Sequence, residues 1–127
     1  MAETNNELTL ARQFAAAMAM SIFIVDPNGS LVYYNAAAER ILGRTFDATG
    51  EMPASVWGRL FIPMDEHGIP LQPERLPLMI ALNERRPVHS GLYIKGMDNV
   101  ARHIEVTGVP LLNNKKQLLG AMAIFWD

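Results

Sequence analysis

The side chains able to do chemistry are few, and their spacing does not gather them. His67 sits in an acidic turn, Asp65-Glu66-His67-Gly68, whereas His89 and His103 fall on expected strands. A zinc site would need those two to meet across strands with an oxygen ligand such as Glu105. The spacing does not supply that set, so surface strand histidines and no metal are the expectation. Ser21, Ser30, Ser55 and Ser90 occur without a nucleophile elbow, and no His-Asp or Lys arrangement accompanies them. Asp26 belongs to a turn and Glu39 to a helix, which does not make them a general acid and base. There is neither a glycine-rich phosphate cradle nor a dinucleotide fingerprint. With no cysteine in the chain, a disulfide framework, a thiolate metal site and a covalent thiol adduct are all excluded. The residues point away from an enzyme.

Composition narrows the partners in the same direction. A chain of 127 residues, half of them apolar, can bury one continuous core. Thirteen acids against eleven strong bases leave a net charge of −2, which is no nucleic-acid footprint. The basic pairs Arg85-Arg86 and Lys115-Lys116 read as solvated surface. The apolar stretch from Phe14 to Val25 contains Ser21 and runs at once into Asp26-Pro27, too short for a membrane span and without a basic leader. Neither nucleic acid nor direct membrane insertion is expected, and a cysteine-free chain suits the cytoplasm.

The elements follow from local pattern. Residues 1–7 read as a flexible polar arm and residues 8–20 as a helix of good helix formers, with residues 21–127 as the core domain. On that helix Leu10, Phe14, Ala17 and Met18 form one apolar face, with Ala11 and Ala15 beside it. Ile22 to Val25 is a β-prone run, Asp26-Pro27-Asn28-Gly29 supplies a turn, and Leu31 to Tyr34 returns. Asn35 can cap a helix from Ala36 to Leu42, with Gly43 as its stop. Asp47 to Asp65 reads as short helices and loops pinned by Trp57, Leu60 and Phe61. A helix over Arg75 to Asn83 is expected to start near Pro73 or Glu74, with Pro77 in its first turn. Strands are expected over Val88 to Lys95, Val100 to Leu111 and Gln117 to Trp126. The last is apolar on both alternating faces, so both must be covered. The expectation is an α+β chain with a five-stranded antiparallel sheet, helices on one face and an N-terminal flanking helix.

Order and spacing resemble the PAS domain family. The resemblance rests on Asp26, Gly29, Asn35, Ala36, Ala38 and Leu42 in the opening stretch. It continues in Trp57, the proline-bearing run from Ile69 to Leu78, Ala81-Leu82, Arg86-Pro87-Val88, Pro110-Leu111, Gly120 and the exit Phe125-Trp126-Asp127. It implies a cavity beneath the helices, lined by some of Ile24, Leu42, Trp57, Leu60, Phe61, Leu76, Met79, Ile80, Ile104 and Val106. The same residue types fill closed cores. Leu10, Phe14, Ala17 and Met18 can pack against Leu119, Ala121, Ala123 and Phe125, or the alternate face of that strand, in the same chain or in a paired one, and the resemblance favours a homodimer. Haem-binding relatives place a histidine on the central helix, and Glu74 to Glu84 holds none; light-sensing flavin relatives use a cysteine absent here. No cofactor is therefore expected. The resemblance implies a noncatalytic sensory and homodimerisation module cut from a longer signalling protein and regulating an attached or associated output domain. The alternative is a receptor whose signal is occupancy of the cavity by a small apolar ligand.

Overall fold

Asp26 folds the first turn around its own carboxylate. Its Oδ1 accepts the backbone N–H groups of Asn28 at 2.9 Å and Ser30 at 3.1 Å, and Gly29 takes the positive φ of 83° that closes the turn. The computed structural model describes residues 2–127, with side chains from residue 7. The turn joins β1 (Ser21–Val25) to β2 (Leu31–Tyr34), and Asn35 then caps α2 (Ala36–Leu42) by accepting from Ala38 N–H at 3.1 Å. Short helices α3 (Phe46–Thr49) and α4 (Ala54–Leu60) follow, then a two-residue strand β3 (Pro63–Met64).

The proline-bearing run breaks in two. A single 3₁₀ turn spans Pro73–Arg75, Leu76 adopts an extended conformation with ψ of 136°, and α5 starts afresh as Pro77–Glu84. The expected single helix from Pro73 or Glu74 gives way because Pro77 disfavours the helical conformation at the residue before it, Leu76. Three long strands complete the chain: β4 (Val88–Lys95), β5 (Ala101–Leu112) and β6 (Leu118–Trp126).

The sheet is antiparallel in the order β2-β1-β6-β5-β4-β3. Five of its strands are the expected ones; β3 adds a short sixth at the edge through Pro63↔Ile94 and Met64↔Tyr93. The helices α2 to α5 cover one face, where Phe23, Val25, Leu92, Ile94, Ile104, Val106, Ala123 and Phe125 enter the main core. Gly108 is what lets α5 lie so close, since a Cβ there would collide with the Pro77 carbonyl oxygen. The opposite face is covered by α1 (Ala2–Ala16), which packs Leu8, Ala11 and Ala15 over Ile22, Ile24, Met122 and Ile124. Both faces of β6 are thereby covered. The first helix begins and ends earlier than the 8–20 expected for it, and it takes in most of the stretch read as an arm.

Candidate functional site

A cavity in the main core, a groove outside it and the outer surface of α1 are candidate places for function.

The core cavity measures about 70 Å³ and is lined by apolar side chains. Leu42, Trp57, Phe61, Leu76, Ile104 and Val106 are among its lining residues. Ile24 does not: it is fully buried in the opposite layer, under α1. Strand alternation places Phe23 and Val25 inward and Ile22 and Ile24 outward, so an assignment off by one residue puts the side chain on the wrong face. Leu60 packs against the core without lining the cavity, Ile80 is half-buried outside it, and Met79 faces the groove instead. Phe23, Leu92, Ile94, Ala123 and Phe125 line the cavity although the sequence reading did not place them there. Their period-two pattern was the available signal. The space is about half the ~150 Å³ of an apolar cavity that admits benzene.

The outer groove measures about 410 Å³ and runs between α4 and the segment holding the 3₁₀ turn and α5. Ala54, Trp57, Gly58, Pro63, Leu71, Pro73, Leu76 and Met79 form its walls, with Ser55 and Arg59 beside them. Trp57, Pro63 and Leu76 divide it from the core cavity. Trp57 is fixed by its indole N–H, which donates to the Gly29 carbonyl at 2.9 Å.

On α1 the face that meets the sheet is Leu8, Ala11 and Ala15, and the expected sticky face looks outward. Leu10 is 66% exposed, Phe14 62% and Met18 38%. Ala17 and Met18 lie beyond the helix in a turn closed by their N–H groups on the Phe14 and Ala15 carbonyls. The strand residues named as their partners are elsewhere. Ala121, Ala123 and Phe125 point into the main core beneath α2 to α5, and Leu119 is buried, so none is an exposed interface residue. The residues of β6 that meet α1 are the alternate ones, Met122 and Ile124. Met122 and Ile124 are the alternate face that the expectation left open, and as with Ile24 the side is set by register rather than by composition.

Asn35 holds α1 to the sheet. It is 1% exposed, and its amide makes four hydrogen bonds: Oδ1 accepts from Ile22 N–H at 3.0 Å and Ala38 N–H at 3.1 Å, while Nδ2 donates to the carbonyls of Ala15 at 2.9 Å and Met20 at 2.8 Å. The residue expected as a helix cap is also the tie to the flanking helix. Arg12 adds a stacking contact, its guanidinium 5.0 Å from the Tyr33 ring centre.

Several polar groups elsewhere interact with one another. Glu105 lies across the outer face of β4 and β5, with Oε1 2.8 Å from His89 Nε2 and Oε2 3.7 Å from His103 Nε2. Among the described residues no three His, Asp or Glu side chains form a metal-holding group. Burial pushes the Tyr34 phenol above its ordinary value, and its hydroxyl donates to the Arg44 carbonyl at 2.8 Å. The hydrogen bond from Arg102 holds the Asp98 carboxyl below the usual aspartate range, and the Ile69 N–H does the same for Asp65. Among the described residues no helix is long and apolar enough to cross a membrane.

Solved structures of the same shape carry little sequence likeness. A PAS domain from Colwellia psychrerythraea is 18% identical with a TM-score of 0.68, covering 95% of this chain and 96% of that one. The PAS domain of BvgS from Bordetella pertussis is 17% identical with a TM-score of 0.62, over 95% and 84%. The light-state dimer of the fungal blue-light photoreceptor Vivid is 10% identical with a TM-score of 0.63, over 87% and 78%. These likenesses show the fold. No curated protein matches the chain. The family model described as PAS fold matches residues 16–127, from the end of α1 through every strand of the sheet. The chain therefore belongs to the PAS family of noncatalytic sensory and regulatory modules.

Proposed function

We propose that this chain is a PAS sensory and homodimerisation module that regulates an attached or associated output domain. The observation that carries it is the two-sided use of α1. Its inner side closes the outer face of the sheet through Ala11 and Ala15, while Leu10 and Phe14 stand more than half exposed on the other. Large apolar side chains exposed in a row mark an association surface. A second copy offering the same helix would cover them with an isologous contact, residue against like residue. Vivid, a protein of this fold, has been solved as a light-state dimer.

In this reading the signal changes how α1 lies on the sheet. Asn35 and the Ala15 contact then transmit it to the paired helices, which bias two arrangements of the output domain. A cytoplasmic setting belongs to the same reading, since a chain without cysteine is indifferent to a reducing compartment. A core cavity of about 70 Å³ supports a packing role for the inner layer over occupancy by an apolar ligand.

The test is mass in solution. Native mass spectrometry is expected to find twice the 14.1 kDa chain mass, and Phe14→Glu to return it to the single chain with the fold intact by circular dichroism. A single-chain mass for the unaltered protein across a wide concentration range would remove the homodimer from this reading.

A further inference from the structure

Gly58 is unusual among the glycines of this chain. It sits inside α4 without a positive φ, so the backbone does not require it. No neighbour requires it either: a Cβ built there meets nothing within 4 Å. A glycine in a helix interior is less stable than alanine, and here it keeps open space on the wall of the 410 Å³ groove. That volume falls within the range of about 300–1,000 Å³ common to small-molecule sites.

The groove has one apolar body and one charged end. Trp57, Leu71, Leu76 and Met79 give it an apolar wall, and methionine adapts to a flexible chain. Arg59 stands at its side, exposed, with Nε donating to the Ser55 carbonyl at 2.9 Å. Among the described residues no hydrogen bond or ion pair engages its two terminal amino groups. A guanidinium held at one nitrogen and open at the other two is set to receive a carboxylate or similar anion in a forked pair.

We propose that this groove binds a small amphiphile with a single apolar chain and one anionic head group, the head on Arg59 and the chain along Trp57, Leu76 and Met79. The site lies outside the core cavity and does not depend on pairing through α1. Two of its walls also reach the β1–β2 turn: Trp57 bonds the Gly29 carbonyl, and the Met79 methyl lies 3.0 Å from where a Gly29 Cβ would stand. An occupant that shifts either side chain is thus registered at the turn of the hairpin on which α1 rests.

The experiment is a titration with hexanoate, octanoate and decanoate below their micelle concentrations, on protein carrying Trp126→Phe so that Trp57 alone fluoresces. The expected result is saturable change in Trp57 emission with a matching rise in melting temperature, tightening with chain length, and at least tenfold weaker for decanol than for decanoate. Gly58→Leu, which grows a side chain into the open space, is expected to abolish binding while keeping or raising the melting temperature. Arg59→Gln is expected to weaken decanoate about tenfold and leave decanol unchanged. Saturable effects absent for all three acids, or binding that survives Gly58→Leu, would overturn the proposal. Repeating the titration on Phe14→Glu separates it from the dimer, because binding is expected there whether or not the chains pair.

Discussion

Asn35 does two jobs with the two ends of one amide, and the jobs can be separated by a single atom. Asn35→Asp keeps the oxygen that accepts from Ile22 and Ala38 but sets a second oxygen against the carbonyls of Ala15 and Met20. Leaving two buried acceptors unmatched is expected to cost about 3 kcal/mol, read by urea unfolding. A change within about 0.5 kcal/mol would show that the tie does not hold α1. Asp98 gives the pH-dependent counterpart. Its carboxylate pairs with Arg102 at 3.1 Å, and Arg102 also donates to the Ile41 carbonyl at 3.1 Å, joining β5 to the end of α2. The folded value lies below the ordinary 3.8, so the stabilisation is fully present above that value and is lost as pH falls through the folded one. Asp98→Asn should therefore lower the melting temperature at neutral pH, with the gap closing in acid as pH falls below 3.8 and through the folded value. A gap that persists in acid would assign it to packing.

At the scale of elements, the contact between α5 and β5 decides how the core closes. Gly108→Ala would force its methyl against the Pro77 carbonyl and lift the start of α5 from the sheet. Overpacking of this kind is expected to cost about 1–3 kcal/mol in chemical denaturation. Wild-type stability in that variant would mean that α5 can slide, and that the cavity wall made by Leu76, Pro77 and Leu78 is softer than its packing suggests. The break at Leu76 gives this region its shape, since it lets the 3₁₀ turn and α5 diverge and open the outer groove between them and α4.

Across the whole molecule, the two ends of the chain meet on one face. β6 carries Ala121, Ala123 and Phe125 into the main core and Met122 and Ile124 under α1. A protein beginning at Ser21 would leave Ile22, Ile24, Met122 and Ile124 wet on the outer face of the sheet. It is expected to melt lower than the full chain and to self-associate through that face, as light scattering would show. A soluble monomer of unchanged melting temperature would mean that α1 is not the cover the sheet needs.

Local chemistry was enough to place most elements. Asp26 and Gly29 make a turn wherever they fall between two apolar runs, Asn35 caps whatever helix follows it, and the long strands alternate on their own account. Those are effects within a few residues, and the sequence by itself determined them, along with the absence of thiol chemistry and of a strong charge. Which face each side chain takes was decided only in three dimensions. Ile24 and Phe125 are as apolar as their neighbours, and register alone sends one under α1 and the other into the core. The second role of Asn35 was equally hidden, because its partners Ala15 and Met20 offer only backbone carbonyls, which no residue type announces. The outer groove and the small core cavity are likewise gaps between elements, and the size of a gap depends on how large side chains such as Trp57, Leu76 and Met79 interlock rather than on which of them are present.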